Sequence, residues 1–334
     1  MNFRKYSTKI SGKINQIILD IKKYHFPYFY CKYLCYKILP PPMHSHNVWL
    51  YGRSRRLFKK DYPKDINEKI RYLEFYTDTT KWTELADKYR VRKYVEERIG
   101  AEYLVPLIGK WKKADDIDFN ILPNQFILKL NNGSGDSIIV HDKSLLDLKS
   151  VIEKLNYNLY HTTMFNGAER HYLGIPPCII AEKLLPSDGP IVDYKIWCFN
   201  GVPNHFLICT NRNESTHHAN LNYYDLNWVR HSEKIAEEYR NDDEVEKPKN
   251  IEEMLRCAKA LSKGFPQVRV DLYNIRGKIY FGELTFTSAF GFMNYYTQET
   301  LDEMGEATKI PPRTIRDVLI SFKNRYIPIF ANNK

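Results

Sequence analysis

The sequence predicts an α+β fold in which antiparallel strand pairs and helices occupy separate stretches of chain. Two observations carry this. Val268, Val270 and Leu272 alternate with Arg269, Asp271 and Tyr273, the chain turns through Asn274 to Lys278 with Gly277, and a second strand runs from Ile279 to Leu284. Residues 67–76 and 82–99 instead place apolar side chains at helical spacing. The 334 residues suffice for a sizeable core and two or three subdomains. A content of 43% hydrophobic and 27% charged residues is that of a soluble globular protein. No internal repeat is present.

The chain begins with its most unusual composition. The net charge of +10 belongs to one end: residues 1–60 hold 13 Lys and Arg against the single acid Asp20, whereas the other 274 residues hold 37 against 39 Asp and Glu. Tyr24, Phe26, Tyr28, Phe29, Tyr30, Tyr33 and Tyr36 interleave with those charges, ahead of Pro40-Pro41-Pro42. Such a segment suits an anionic membrane surface or anionic polymer. A basic helical appendage packing its aromatics on the body explains it equally well. Nucleic acid lacks any recognition motif here. No run of about 18 apolar residues exists to span a bilayer, and the N-terminus lacks the apolar stretch of a secretory signal. Six cysteines form no disulfide framework in a chain this long. Cys31 and Cys35 lack zinc-site spacing, so reduced thiols and a cytosolic protein are expected.

From Pro63 the sequence turns charged and helix-forming. Helices are expected over Asn67–Tyr76 and Trp82–Ile99, with Gly100 as a stop. The second contains Lys88, which read alone is a solvated lysine. Asn124 to Val140 reads as strand, small-residue loop, strand. Lys129 ahead of Asn132-Gly133-Ser134-Gly135 puts a positive charge beside flexible backbone N–H donors, the chemistry of a phosphate cradle. It is not a Walker A loop, and Asn-Gly and Ser-Gly are also ordinary hairpin turns.

Residues 144–160 look helical and carry no chemistry. Cys178 to Leu185 is an apolar strand ending in Glu182-Lys183, where an acid could accept from an exocyclic amine or simply form a surface pair. Asp193 and Lys195, two apart, share one face of the next strand, and His205–Thr210 forms another. Arg212 to Asn222 reads as a mobile polar loop whose His217-His218 are solvated. A charged linker spans 240–250, and helices cover 251–264 and about 313–326. In the hairpin, Asp271 and Glu283 approach across the ladder. Two such carboxylates need a cation between them or a shared proton. Mg²⁺, held by one or two carboxylates and phosphate oxygens, meets that need; solvated surface acids are the alternative.

The order of these pieces is more specific than any one of them. A lysine in a helix, a lysine–glycine loop, a strand ending in Glu-Lys-Leu-Leu, Asp-x-Lys, Arg-x-Asp and Glu-x-Thr together resemble the ATP-grasp superfamily. Asp65-Ile66-Asn67-Glu68-Lys69-Ile70, Asp87-Lys88-Tyr89-Arg90-Val91-Arg92, Asp193-Tyr194-Lys195 and Phe281-Gly282-Glu283-Leu284-Thr285 are similar to its TupA-like branch, associated with bacterial cell-surface polysaccharide and teichuronopeptide synthesis. The resemblance covers about residues 60–310, leaving out the basic N-terminal segment. It implies an ATP-grasp fold, two α+β subdomains gripping ATP between antiparallel sheets. The divisions expected are a basic helical extension (1–60), a helical N-terminal part (61–122), a lid subdomain with the glycine loop (123–185) and a metal and phosphate subdomain (186–334).

By the same resemblance Lys88 and Lys129 would be the two nucleotide-phosphate lysines and Gly133-Ser134-Gly135 the flap over the β- and γ-phosphates. Glu182 would meet the adenine amine, with the backbone of Lys183 and Leu184 reading the ring. Lys195, where relatives often carry arginine, would contact phosphate or acyl phosphate. Arg269 would stabilise the transferred phosphoryl group, and Asp271 and Glu283 would hold Mg²⁺. Thr285 stands where an asparagine is usual, and its hydroxyl is a weaker ligand than an amide carbonyl, which puts a second Mg²⁺ in doubt.

The implied reaction is ATP-driven joining of a carboxylate to an amine through an acyl phosphate, releasing ADP. The carboxylate would be a uronic acid or amino acid, free or glycan-linked, and the amine an amino acid or amino sugar. Residues 1–45 would then contact the inner membrane face or a lipid-linked glycan. A glycosyltransferase of the same pathway, a non-catalytic nucleotide- or glycan-binding protein and a nucleic-acid binder are the rival readings. The first lacks an Asp-x-Asp motif, the second leaves Lys88, Lys129, Arg269, Asp271 and Glu283 unexplained, and the third rests on charge alone.

Overall fold

The computed structural model describes residues 63–133, 137–160, 169–186, 191–210, 220–241, 243–312 and 314–319. The expected N-terminal extension, Ser134 and Gly135 of the glycine loop, most of the 212–222 loop and most of the C-terminal helix lie outside these residues.

The architecture is two antiparallel sheets, the first with a helix on one face and the second with helices on both, the α+β arrangement expected, with the two sheets of an ATP-grasp fold. Helix α1 (Ile66–Tyr76) begins where Asp65 accepts from the Glu68 N–H at 2.8 Å, while Glu68 accepts from the Lys64 N–H at 2.7 Å. Beyond it the chain differs from the single helix expected over 82–99. It forms α2 (Thr80–Leu85), a turn, and α3 (Val91–Arg98). The break lies at Asp87, whose buried carboxylate accepts from the N–H groups of Tyr89 at 2.9 Å and Arg90 at 3.2 Å. That local alternative to the helical ladder starts α3 afresh.

The first sheet has strand order β1-β4-β2-β3, from β1 (Leu107–Trp111), β2 (Phe126–Leu130), β3 (Ile138–Val140) and β4 (Ile179–Lys183). Strand β1 was not foreseen; its half-exposed residues do not alternate. Helix α4 (Leu148–Tyr160) packs Val151, Leu155 and Leu159 on Phe126, Leu128, Leu130, Ile179 and Ala181. Since alternate residues point to opposite faces, Ile127, Lys129, Ile180 and Glu182 look the other way; the register pairs Ile127 with Glu182 and Lys129 with Ile180. Helix α5 (Arg170–Leu173) leads back toward β4.

The second sheet runs β7-β6-β5-β8-β9, from β5 (Asp193–Phe199), β6 (Val202–Thr210), β7 (Asn220–Tyr224), β8 (Gln267–Ile275) and β9 (Lys278–Thr285). Helix α6 (Ile251–Ser262) buries Met254, Cys257, Ala258 and Leu261 against Ile196, Cys198, Val268 and Val270. The β8–β9 hairpin turns more tightly than expected. Ile275 pairs with Lys278 around Arg276 and Gly277 alone, both at positive φ (52° and 80°), as a two-residue type I′ turn requires. A bulge at Gly282 shifts the register between Asp271 and Leu272; a Cβ there would lie 3.0 Å from the Asp271 carbonyl oxygen. Helix α7 (Gln298–Ala307) packs on α1. No helix among the described residues is long and apolar enough to cross a membrane.

Candidate functional site

On the face of the second sheet turned away from α6, register sets two neighbouring rows. Lys195, Asp271 and Glu283 are direct cross-strand partners on β5, β8 and β9, and Trp197, Arg269 and Thr285 form the neighbouring row. The expected approach of Asp271 to Glu283 is therefore a register pair. The cation between these acids is a side chain of the protein. Arg269 grips Asp271 with both prongs, Nε to Oδ1 at 2.7 Å and Nη2 to Oδ2 at 2.6 Å. Its Nη2 also reaches Thr285 Oγ1 at 3.1 Å and Glu283 Oε1 at 3.4 Å, and Nη1 donates to Ser288 Oγ at 2.6 Å. Lys195 Nζ donates to Asp271 Oδ2 at 2.9 Å and Asp193 Oδ2 at 2.7 Å.

Burial sets the electrostatics of this cluster. It opposes the charge on Asp271, but Arg269 and then Lys195 outweigh it and hold the carboxyl at about 2. Burial likewise works against the Lys195 ammonium, yet Asp271 leads the groups that raise it above the usual lysine value. Arg269 is also pushed up, with Asp271 overcoming burial. All three are charged at neutral pH.

The lysines of the opposite wall meet this face. Lys88 is a correction to the helical placement, for it occupies the turn after Asp87. Its N–H donates to the Asn131 carbonyl at 2.9 Å, which pins the turn to the end of β2. Its Nζ donates to the Gly133 carbonyl at 2.6 Å and stands 3.9 Å from Glu283 Oε2, spanning the two sheets. Burial leads in lowering its pKa, with Lys129 adding to that and Glu283 opposing. Lys129 Nζ lies 2.5 Å from Glu182 Oε2, and Arg92 Nη1 lies 3.0 Å from Glu182 Oε1. The Glu182 carboxylate thus sits between two cations, where a partner for an adenine amine was expected. The Lys183 N–H donates to the Pro106 carbonyl at 2.9 Å and its side chain is exposed, while Leu184 is half-buried.

Four contributors were missed in the sequence. Arg92 also donates to the Val105 carbonyl at 2.9 Å. Asn131 donates to the Pro176 carbonyl at 3.0 Å and accepts from the Cys178 N–H at 2.7 Å, joining β2 to the start of β4. Ser288 links Arg269 to the Tyr295 hydroxyl at 3.0 Å. Glu169 is buried where α5 meets the chain after β9, accepting from the Thr287 hydroxyl. Arg92 had a signal, since it stands inside the Asp87–Arg92 motif. The others had none.

The donors available to a metal are oxygens. Thr285 Oγ1 donates to Glu283 Oε1 at 2.9 Å, which places that hydroxyl, Glu283 and Asp271 around the Arg269 fork. Among the described residues no group of three His, Cys, Asp or Glu side chains gathers to hold a metal. Two carboxylates and a hydroxyl suit a hard cation that takes its other ligands from phosphate and water, as Mg²⁺ does.

The family model described as TupA-like ATP-grasp matches residues 68–309. No curated protein matches the chain. Among solved structures, the chain is similar to D-alanine–D-alanine ligase from Bacillus anthracis at 17% identity, over 74% of this chain and 72% of that one, with a TM-score of 0.39. It is similar to D-alanine–D-alanine ligase from Helicobacter pylori at 14% identity, over 75% and 68%, with a TM-score of 0.40. For the L-amino acid ligase from Bacillus licheniformis the values are 13% identity, 75% and 58% coverage, and a TM-score of 0.43.

Proposed function

The chain belongs to the TupA-like ATP-grasp family, and from that premise we propose that it is an ADP-forming carboxylate–amine ligase acting in the synthesis of a bacterial cell-surface polysaccharide. The observation that carries the reading is the cross-strand row Lys195–Asp271–Glu283 with Lys88 beside Glu283 and Lys129 among the charges acting on Lys88. Four flanking cations, Lys88, Lys129, Lys195 and Arg269, suit a substrate with several negative charges, and the two acids among them suit a nucleotide triphosphate accompanied by a divalent ion.

In this reading Lys88 and Lys129 bind phosphate oxygens of ATP, and Gly133, Ser134 and Gly135 close over them. Lys129 leaves Glu182 for the nucleotide, and Arg92 keeps that carboxylate in place. Glu182, with the backbone of Lys183 and Leu184, borders the adenine. Asp271, Glu283 and Thr285 would hold Mg²⁺, which supplies charge neutralisation to the phosphoryl group. Arg269 stabilises charge on the transferred phosphoryl group, and Lys195 contacts the phosphate or acyl phosphate. The acid attacks the γ-phosphate in line, ADP leaves, and an amine displaces phosphate from the acyl phosphate to give an amide. No nucleophilic side chain is needed.

The acid is a uronic acid or amino acid and the amine an amino acid or amino sugar. The basic, aromatic segment at residues 1–45 docks on an anionic membrane surface or lipid-linked glycan. Loss of sedimentation with anionic vesicles when residues 1–45 are deleted supports this docking; unchanged sedimentation removes it.

The test of the activity is ATP consumption with Mg²⁺ over a panel of uronic acids, amino acids and amino sugars, comparing wild type with Lys129→Ala and Asp271→Ala. ADP and phosphate release that requires both an acid and an amine, and is lost in both variants, supports the ligase. AMP release points to an adenylate, and failure of the folded protein to bind ATP overturns the reading.

A further inference from the structure

Among the described residues five carboxylates border the polar face, and four are held by cations. Asp271 is bound by Arg269 and Lys195, Asp193 by Lys195, Glu283 by Arg269 and Lys88, and Glu182 by Lys129 and Arg92. Glu169 is different. Its Oε1 accepts from the neutral hydroxyl of Thr287, and its Oε2 is buried with no hydrogen-bond partner among the described residues. Thr287 lies two residues past the end of β9, and Glu283 of β9 is among the charges acting on Glu169, which puts Glu169 near the end of the acid-bearing strand.

A carboxylate locked to a cation is a poor base, because protonation must first break the ion pair. The ligase chemistry needs one. An amine that arrives as an ammonium ion cannot attack until it loses a proton. We propose that Glu169 takes that proton, and that the amine substrate is one charged at neutral pH, an amino acid or amino sugar, bound beside Thr287. This rests on the ligase reading.

The step balances. One proton passes from the ammonium nitrogen to the Glu169 carboxylate. The nitrogen lone pair forms the C–N bond while the acyl C–O bond breaks with its electrons going to phosphate. The second nitrogen proton leaves with the phosphate as HPO₄²⁻. The free Oε2 is the accepting atom. Among the described residues both ring nitrogens of His171, two residues along, also lack hydrogen-bond partners, and Nδ1 lies 3.8 Å from Glu74 Oε1.

The groups facing Glu169 agree with this role. Burial leads in raising its carboxyl to about 8; the Thr287 hydrogen bond opposes, Glu74 of α1 adds to the rise, Arg71 of α1 opposes, and Glu283 of β9 adds. Tyr172 of α5 is also raised, by burial first and Glu169 second, so it stays a neutral phenol. A base that titrates near the working pH takes a proton and returns it with little loss.

The experiment compares wild type and Glu169→Gln with two amines: an amino acid that supports turnover, and hydroxylamine, which is uncharged at neutral pH and needs no base. Positioned proton transfer contributes about 10²–10⁴ in rate, so the ratio of amino-acid to hydroxylamine turnover falls at least about 100-fold in Glu169→Gln. Amino-acid turnover of the variant then tracks the free-amine fraction and climbs steadily with pH, whereas the wild-type rise levels off above about pH 8 as Glu169 becomes fully ionised. An unchanged ratio overturns the proposal, whether both rates persist or both fall together. Glu169→Asp, which retains a carboxyl, restores part of the ratio if proton transfer is the role and none of it if the role is structural. Absence of acid-dependent ADP formation in wild type removes the ligase reading and this inference with it, an outcome distinct from an active wild type with an unaltered variant.

Discussion

Arg269 and Asp271 are two residues apart on one strand and bound by two parallel hydrogen bonds of 2.7 and 2.6 Å, so the guanidinium lies flat along the sheet face. This pair organises the site. It charges Asp271, aims the remaining Arg269 donors at Thr285, Glu283 and Ser288, and leaves Lys195 on the other side of the same carboxylate.

Removing the shared acid leaves two buried cations short of charge, Lys195 with Asp193 and Arg269 with only the longer contact to Glu283. Asp271→Asn is expected to cost about 3–5 kcal/mol of folding stability, the usual result of breaking a buried pair from one side. Urea denaturation measures it. A variant as stable as wild type would mean that Asp193 and Glu283 suffice for Lys195 and Arg269.

Arg92 fixes Glu182 from the side opposite Lys129. Arg92→Met is expected to raise the KM for ATP about tenfold, corresponding to ~1.4 kcal/mol, because Lys129 then remains held by an unshared carboxylate. Turnover at saturating ATP changes much less. Steady-state kinetics at varied ATP separates the two effects, and an unchanged KM contradicts the assignment.

Gly282 lies where the bulge brings β9 close to the Asp271 carbonyl. Gly282→Val should destabilise by about 1–3 kcal/mol through overpacking and lower ADP formation by moving Asp271 relative to Glu283. Paired denaturation and turnover measurements check this, and normal values of both would show that the strand gives way freely.

His205 gives the fold its sensitivity to acid. It is fully buried, stacked on Tyr223 with ring centroids 4.3 Å apart and 3.0 Å from the Tyr296 hydroxyl. Burial, reinforced by Lys234, lowers its pKa to about 3. The unfolded chain therefore takes up a proton that the folded one refuses. This contribution is present above pH 6.5 and is lost as pH falls toward 3, by about 1.4 kcal/mol per unit. Denaturation at pH 4–7 should show that slope in wild type and a shallower one in His205→Gln.

Legibility followed the range of the interactions. The β8–β9 hairpin was readable because alternation and a turn glycine are local signals, and its register then pairs Asp271 with Glu283. The break at Asp87 was not, since apolar spacing continues through 82–99 while two side-chain bonds to backbone decide the matter. Arg92 hid because its carboxylate partner is 90 residues away. Glu169 hid because its hydroxyl partner is 118 residues away. Strand β1 carries no alternation, and only its pairing with β4 makes it a strand.

The most direct test of the central claim follows an oxygen atom. The acid that supports turnover is labelled with ¹⁸O in its carboxylate and incubated with ATP, Mg²⁺ and the amine. Formation of an acyl phosphate predicts ¹⁸O in the released inorganic phosphate and none in the nucleotide. Label in AMP, or phosphate that carries none, contradicts phosphoryl transfer to the carboxylate.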